Sequence, residues 1–60
     1  MKMLTFEDEH NKIICINPNL ISTVQHSAIN KDLCLIHMNN GTAYRVKSKL
    51  KDIIKEIESI

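Results

Sequence analysis

Asn40-Gly41 stands between two strand-like runs, Leu33-Cys34-Leu35-Ile36-His37-Met38 before it and Thr42-Ala43-Tyr44-Arg45-Val46-Lys47 after it. Asparagine and glycine tolerate positive φ better than other residues. A two-residue turn with positive φ at both central positions also matches the twist of the strands it joins. The pair therefore predicts a β-hairpin. With Asn40-Gly41 as its loop, Asn39 faces Thr42, His37 faces Tyr44 and Leu35 faces Val46. One face then carries Leu33, Leu35, His37, Tyr44 and Val46. The other carries Cys34, Ile36, Met38, Ala43, Arg45 and Lys47.

After the hairpin, Leu50, Ile53, Ile54, Ile57 and Ile60 recur at helical spacing and form one apolar stripe, with Ser48 placed to act as N-cap. Lys49, Lys51, Asp52, Lys55, Glu56 and Glu58 fill the remaining positions, and the Asp52–Lys55 and Lys55–Glu58 spacings are mutually supportive. A helix of about three turns is too short to persist alone, so its stripe must dock on the sheet.

Ahead of the hairpin, Met3-Leu4-Thr5-Phe6 and Lys12-Ile13-Ile14-Cys15-Ile16 read as two strands joined through the polar run Glu7 to Asn11. Pro18 fixes its own φ and biases Asn17 away from helix, so the second strand ends at Asn17. Leu20 to Gln25 reads as a brief turn leading into a third strand, closed by the polar stretch Ser27 to Asp32. The expectation is an α+β fold in a single domain over residues 1–60. It has a small antiparallel, strongly twisted β-sheet of four or five strands, near residues 2–6, 12–16, 20–26, 32–38 and 42–47, and one C-terminal α-helix near residues 48–59.

A chain of 60 residues buries only about 60% of the surface it exposes when unfolded, and oligomerisation is a common remedy. Cys15 and Cys34 are expected to be buried, reduced thiols of a cytoplasmic protein, since no hydrophobic signal segment precedes them. No apolar run approaches the roughly 20 residues of a membrane span. Eight basic against seven acidic residues give a net charge of +1, which supplies no general field for nucleic acid or acidic lipid. One tyrosine, one phenylalanine and no tryptophan leave little aromatic surface for stacking bases.

Candidate chemistry is sparse. Cys34 and His37 have a metal-like spacing, but on an extended strand they point to opposite faces, so no metal and no other cofactor is expected. His10 and His26 are expected in turns. Glu7, Asp8 and Glu9 form a charged turn rather than a catalytic pair, and the single glycine has a turn to make and cannot belong to a phosphate-cradling loop. Enzymatic activity is not expected. Arg45, Lys47, Lys49 and Lys51 form a basic strip at a strand end and helix start, a candidate nucleic-acid contact weakened by its small charge count and by cations opposing the helix dipole.

One helix can cover one face of a sheet, and the face bearing Cys34, Ile36 and Met38 is apolar too. These three residues are therefore the expected protein-interaction surface, for a homo-oligomer or a protein partner. The alternative is a sheet that curls and buries both faces within the chain.

Ile16-Asn17-Pro18-Asn19-Leu20-Ile21, followed by Asn39-Asn40-Gly41-Thr42-Ala43-Tyr44-Arg45-Val46-Lys47 and a short Ile-rich helix, resembles the FlbD/SwrD-type small flagellar proteins over nearly the whole chain. The resemblance implies a non-catalytic role near the flagellar motor or its regulation. The hairpin and helix, through Ile36-His37, Asn40-Gly41, Tyr44, Val46 and Leu50-Lys51-Asp52, also look like the first half of a LytTR domain. That likeness implies a shared hairpin-helix unit. The leading expectation is a non-catalytic interaction or regulatory protein. A nucleic-acid-associated regulator using the basic strip comes second, and a mobile-element protein that captures a small ligand or inhibits a host protein comes third.

Overall fold

The computed structural model describes residues 2–59. Strands β1 (Leu4–Glu7) and β2 (Ile13–Ile16) form one antiparallel sheet. Strands β3 (Ile21–His26), β4 (Cys34–Met38) and β5 (Ala43–Val46) form a second, ordered β3-β4-β5, and helix α1 spans Leu50–Glu58. The two sheets are joined at the bridge between Asp8 and Val46, where Lys47 N–H donates to Glu7 C=O at 2.9 Å and Glu9 N–H donates to Arg45 C=O at 3.1 Å. The strands therefore follow one another as β2-β1-β5-β4-β3, bent at that seam. The expected α+β architecture is present, with its five strands divided between two sheets.

The two tight hairpins close in the same way. Met38 N–H donates to Thr42 C=O at 2.8 Å and Gly41 N–H to Met38 C=O at 3.1 Å. Asp8 N–H donates to Lys12 C=O at 2.8 Å and Asn11 N–H to Asp8 C=O at 3.1 Å. Each is a three-residue loop ending in a left-handed residue, Gly41 at φ 89° and Asn11 at φ 64°. This corrects the two-residue loop expected at Asn40-Gly41, because Asn40 does not take positive φ. The ladder is correspondingly one step from the expected register, with His37 opposite Ala43, Ile36 opposite Tyr44 and Cys34 opposite Val46. The shift has a physical reason. A two-residue loop would have put Arg45 and Lys47 on the face of Cys34 and Ile36. The observed register instead groups Cys34, Ile36, Met38, Tyr44 and Val46 on one face and leaves Arg45 outside.

That common face is the core. Leu4 and Phe6 of β1, Ile16 of β2, Cys34 and Ile36 of β4, Val46 of β5 and Ile53 of α1 form one buried cluster, with Ile14, Ile21, Val24, Leu50 and Ile57 packed around it. Helix α1 lies against β3. Its stripe is narrower than expected, since Ile53 is buried but Ile54 is 43% exposed. Ile60 lies outside the described residues. The N-cap is Lys49 rather than Ser48, and its side chain makes no capping hydrogen bond; at the other end the Ser59 hydroxyl donates to Glu56 C=O at 2.9 Å, and Asp52 in the first turn and Lys55 in the last suit the dipole.

Asn17 ends β2 as expected. Its Oδ1 accepts from Asn19 N–H at 3.0 Å and caps a 3-10 turn, Pro18–Leu20, that leads into β3. A bulge at Ser22 shifts the β3–β4 register between Ile21 and Thr23. Ser27, buried, ties the β3–β4 loop by accepting from the N–H groups of Ile29 and Asn30. No helix among the described residues is long and apolar enough to cross a membrane.

Candidate functional site

The three residues expected to form an interaction face have different fates. Cys34 is 2% exposed and Ile36 fully buried, so neither is available to a partner. The reason is the curl at the Asp8–Val46 seam. It folds the β1–β2 sheet back over β4, and α1 closes the remaining side, so the face expected to stay open is the centre of the core. Met38, at the end of β4, is only partly buried.

Met38 instead borders a groove of about 330 Å³ at the open mouth between the two sheets, lined also by Met3, Cys15, Ile16, Leu20 and Tyr44. Met3 and Leu20 are each nearly half exposed, at 47% and 48%. The register brings these side chains together. Tyr44 and Met38 are on the core-side face of the hairpin, Leu20 ends the 3-10 turn, and Met3 precedes β1, which pairs with the end of β2 through Leu4 and Ile16.

The polar residues of the groove are Asn17, Asn39 and Asn40, with the phenol of Tyr44 beside them. Asn17 and Asn40 spend their side-chain carbonyls on the N–H groups of Asn19 and Thr42, at 3.0 and 2.9 Å, which leaves their NH2 groups as donors. No lining residue is charged. The groove therefore suits an apolar side chain flanked by carbonyl acceptors, as in a peptide, and offers no cation to a phosphate. No local spacing pointed to it, because its residues come from four separate segments.

The basic strip is divided. Arg45 Nη1 lies 3.6 Å from Glu9 Oε2, and Lys47 Nζ donates to Asn11 Oδ1, so the turn between β1 and β2 engages both side chains. Lys49 and Lys51 continue onto the helix start, both exposed.

Among the described residues, no group of three or more His, Cys, Asp or Glu side chains is placed to hold a metal ion. Cys34 points into the core and His37, one position out of phase, to the opposite face. His10 sits in the β1–β2 turn, whereas His26 is the last residue of β3 rather than part of a turn. Of the two free thiols, Cys34 is buried as expected and burial pushes its pKa up. Cys15 is exposed, contrary to expectation, with its Sγ 3.8 Å from Thr5 Oγ1 on the outer face of the ribbon. The Asp8 carboxylate is held below its ordinary pKa, chiefly by the Lys12 N–H it accepts at 2.9 Å and further by the His10 N–H, also at 2.9 Å.

Comparison with family models, with curated proteins and with solved structures gives no match to this chain.

Proposed function

We propose that this chain is a small, non-catalytic protein-interaction module that takes an apolar segment of a partner into the groove between its two sheets. The observation that carries the reading is the groove's composition. Met3, Leu20, Met38 and Tyr44 gather at the surface, ringed by asparagine amides and by no charge. Ile13, Ile29 and Ile54 are exposed as well, but none of them lines the groove, where Met3, Leu20 and Tyr44 are gathered into one patch, and contiguous apolar patches serve association. The two segments that carry the FlbD/SwrD-type likeness, at residues 16–21 and 39–47, both contribute to the groove, which gives the reading a setting near the flagellar motor or its regulation.

The nucleic-acid alternative is weaker physically. Glu9 offsets Arg45, and the contacts left to Lys47, Lys49 and Lys51 would give only weak, salt-sensitive binding. Capture of a nucleotide in the groove would leave its phosphates without a cation. Selection of a displayed peptide library against the folded chain tests the leading reading. Peptides with a central apolar residue are expected to enrich and to lose binding to Leu20→Asp. Enriched peptides that bind Leu20→Asp equally well, or a selection dominated by acidic peptides that Lys49→Glu abolishes, would remove it.

A further inference from the structure

The β2 strand has an unprotected free edge. Glu7 C=O and Glu9 N–H bond to the β5 side, and Asp8 N–H bonds to Lys12, so odd residues of β1 direct their backbone groups to β5 and even residues to β2. By the alternation of an antiparallel ladder, Ile14 and Ile16 then face β1, while Ile13 and Cys15 direct N–H and C=O outward. Among the described residues, no hydrogen bond reaches these outward groups. The other outermost strand, β3, is bulged at Ser22 and packed by α1. Natural edges carry such guards, or charge, or proline. Within Ile13–Ile16 there is no bulge, no charge and no proline, and Ile13 is 67% exposed.

We propose that β2 pairs antiparallel with β2 of a second copy of this chain across a two-fold axis. The strand is self-complementary in one register. Centred on Ile14, it sets Ile13 opposite Cys15 of the second copy and Cys15 opposite Ile13, and each of these pairs exchanges two backbone hydrogen bonds. Centred on Cys15, it would set Ile13 against Asn17, whose C=O already accepts from Leu20 N–H at 3.0 Å. The Ile14-centred register therefore satisfies the outward groups and covers both copies of Ile13. Pro18 at one end and the Asn11 turn at the other keep the ladder short, which makes this a concentration-dependent dimer. The dimer uses the backbone edge of β2; Cys15 also lines the groove, so Leu20→Asp, which lies outside β2, separates the two readings.

Sedimentation velocity of the reduced chain from micromolar to millimolar concentration tests it. The wild type is expected to dimerise. Cys15→Pro deletes an outward N–H without touching an internal backbone bond, and costs only the exposed Sγ contact with Thr5 Oγ1, at a position where an edge strand tolerates proline. Ile13→Lys adds the usual edge guard. Each is expected to raise the dimer Kd at least tenfold with an unchanged circular dichroism spectrum, while Leu20→Asp leaves the dimer intact. Ile13→Cys, oxidised, is expected to cross-link to Cys15 of the second copy. A wild type that stays monomeric at millimolar concentration, or a dimer that survives Ile13→Lys, overturns the proposal. Should Cys15→Pro lose its fold, Ile13→Lys and the cross-link decide.

Discussion

Asp8 and Val46 pair across the seam between the two sheets, and both sides of that contact are structurally committed. Val46 is fully buried in the core, while the Asp8 carboxylate holds the neighbouring turn by accepting two backbone N–H groups. The curl that closes the core and the turn that starts β2 are therefore set at one place.

The state of Asp8 makes stability depend on acid. Its carboxyl is held below the ordinary value in the folded chain, first by the Lys12 N–H, so its contribution is present above the unfolded pKa and lost as pH falls through the lower folded one. The loss belongs below about pH 4, the ordinary aspartate value. Urea midpoints of the wild type should fall across that window, and Asp8→Asn should flatten the fall.

At Gly41 the cost of a side chain comes from the backbone. The residue sits at φ 89° and an added Cβ would meet nothing within 4 Å. Gly41→Ala should cost about 1–2 kcal/mol through the left-handed conformation alone. In a chain of this size that lowers Tm by roughly 4–8 °C per kcal/mol. Asn11 occupies the equivalent position, so Asn11→Ala should act in the same direction.

Burial separates Ile36 from Ile54. Ile36 is fully buried in the core cluster, and Ile36→Ala should cost about 2–5 kcal/mol, enough to leave much of a small domain unfolded at room temperature. Ile54, 43% exposed on the helix, should lose about 1 kcal/mol or less. Chemical denaturation of the two variants measures the difference. An Ile36→Ala protein as stable as Ile54→Ala would return β4 to the surface.

The two thiols should react at different rates. Cys15 is exposed, while Cys34 is buried with its pKa raised by desolvation, which suppresses the thiolate that alkylates. Mass spectrometry after brief iodoacetamide treatment at mildly alkaline pH should find Cys15 modified first, with Cys34 following only when the chain unfolds.

How far these features were legible varied with how local they are. The end of β2 at Asn17-Pro18, the five strands and the helix follow from turn chemistry and periodicity, and they stand where the sequence placed them to within a few residues. The hairpin register does not, because Asn39-Asn40-Gly41 admits loops of two or three residues. Only the core beyond the hairpin decides between them, by accepting Val46 and rejecting Arg45. That one-step difference sets Tyr44 and Val46 beside Cys34 and Ile36, and the curl at the Asp8–Val46 seam buries the face they share at Cys34, Ile36 and Val46. The exposure of Cys15 is not legible because Ile13-Ile14-Cys15-Ile16 is unbroken in polarity, and pairing of Leu4 with Ile16 is what sends Cys15 outward. The groove depends on segments distant in sequence, and of its residues only Met38 belongs to the interaction surface expected from the sequence.

Chemical-shift mapping tests the interaction surface most directly. Amide and methyl spectra of the isotope-labelled chain would be recorded while the strongest selected apolar peptide is added. Shifts are expected to concentrate at Met3, Leu20, Met38, Tyr44 and the amides of Asn17, Asn39 and Asn40, with Cys34 and Ile36 at most weakly perturbed through the backbone. Shifts centred on Arg45, Lys47, Lys49 and Lys51, or a saturating peptide that leaves the groove unperturbed, would contradict it.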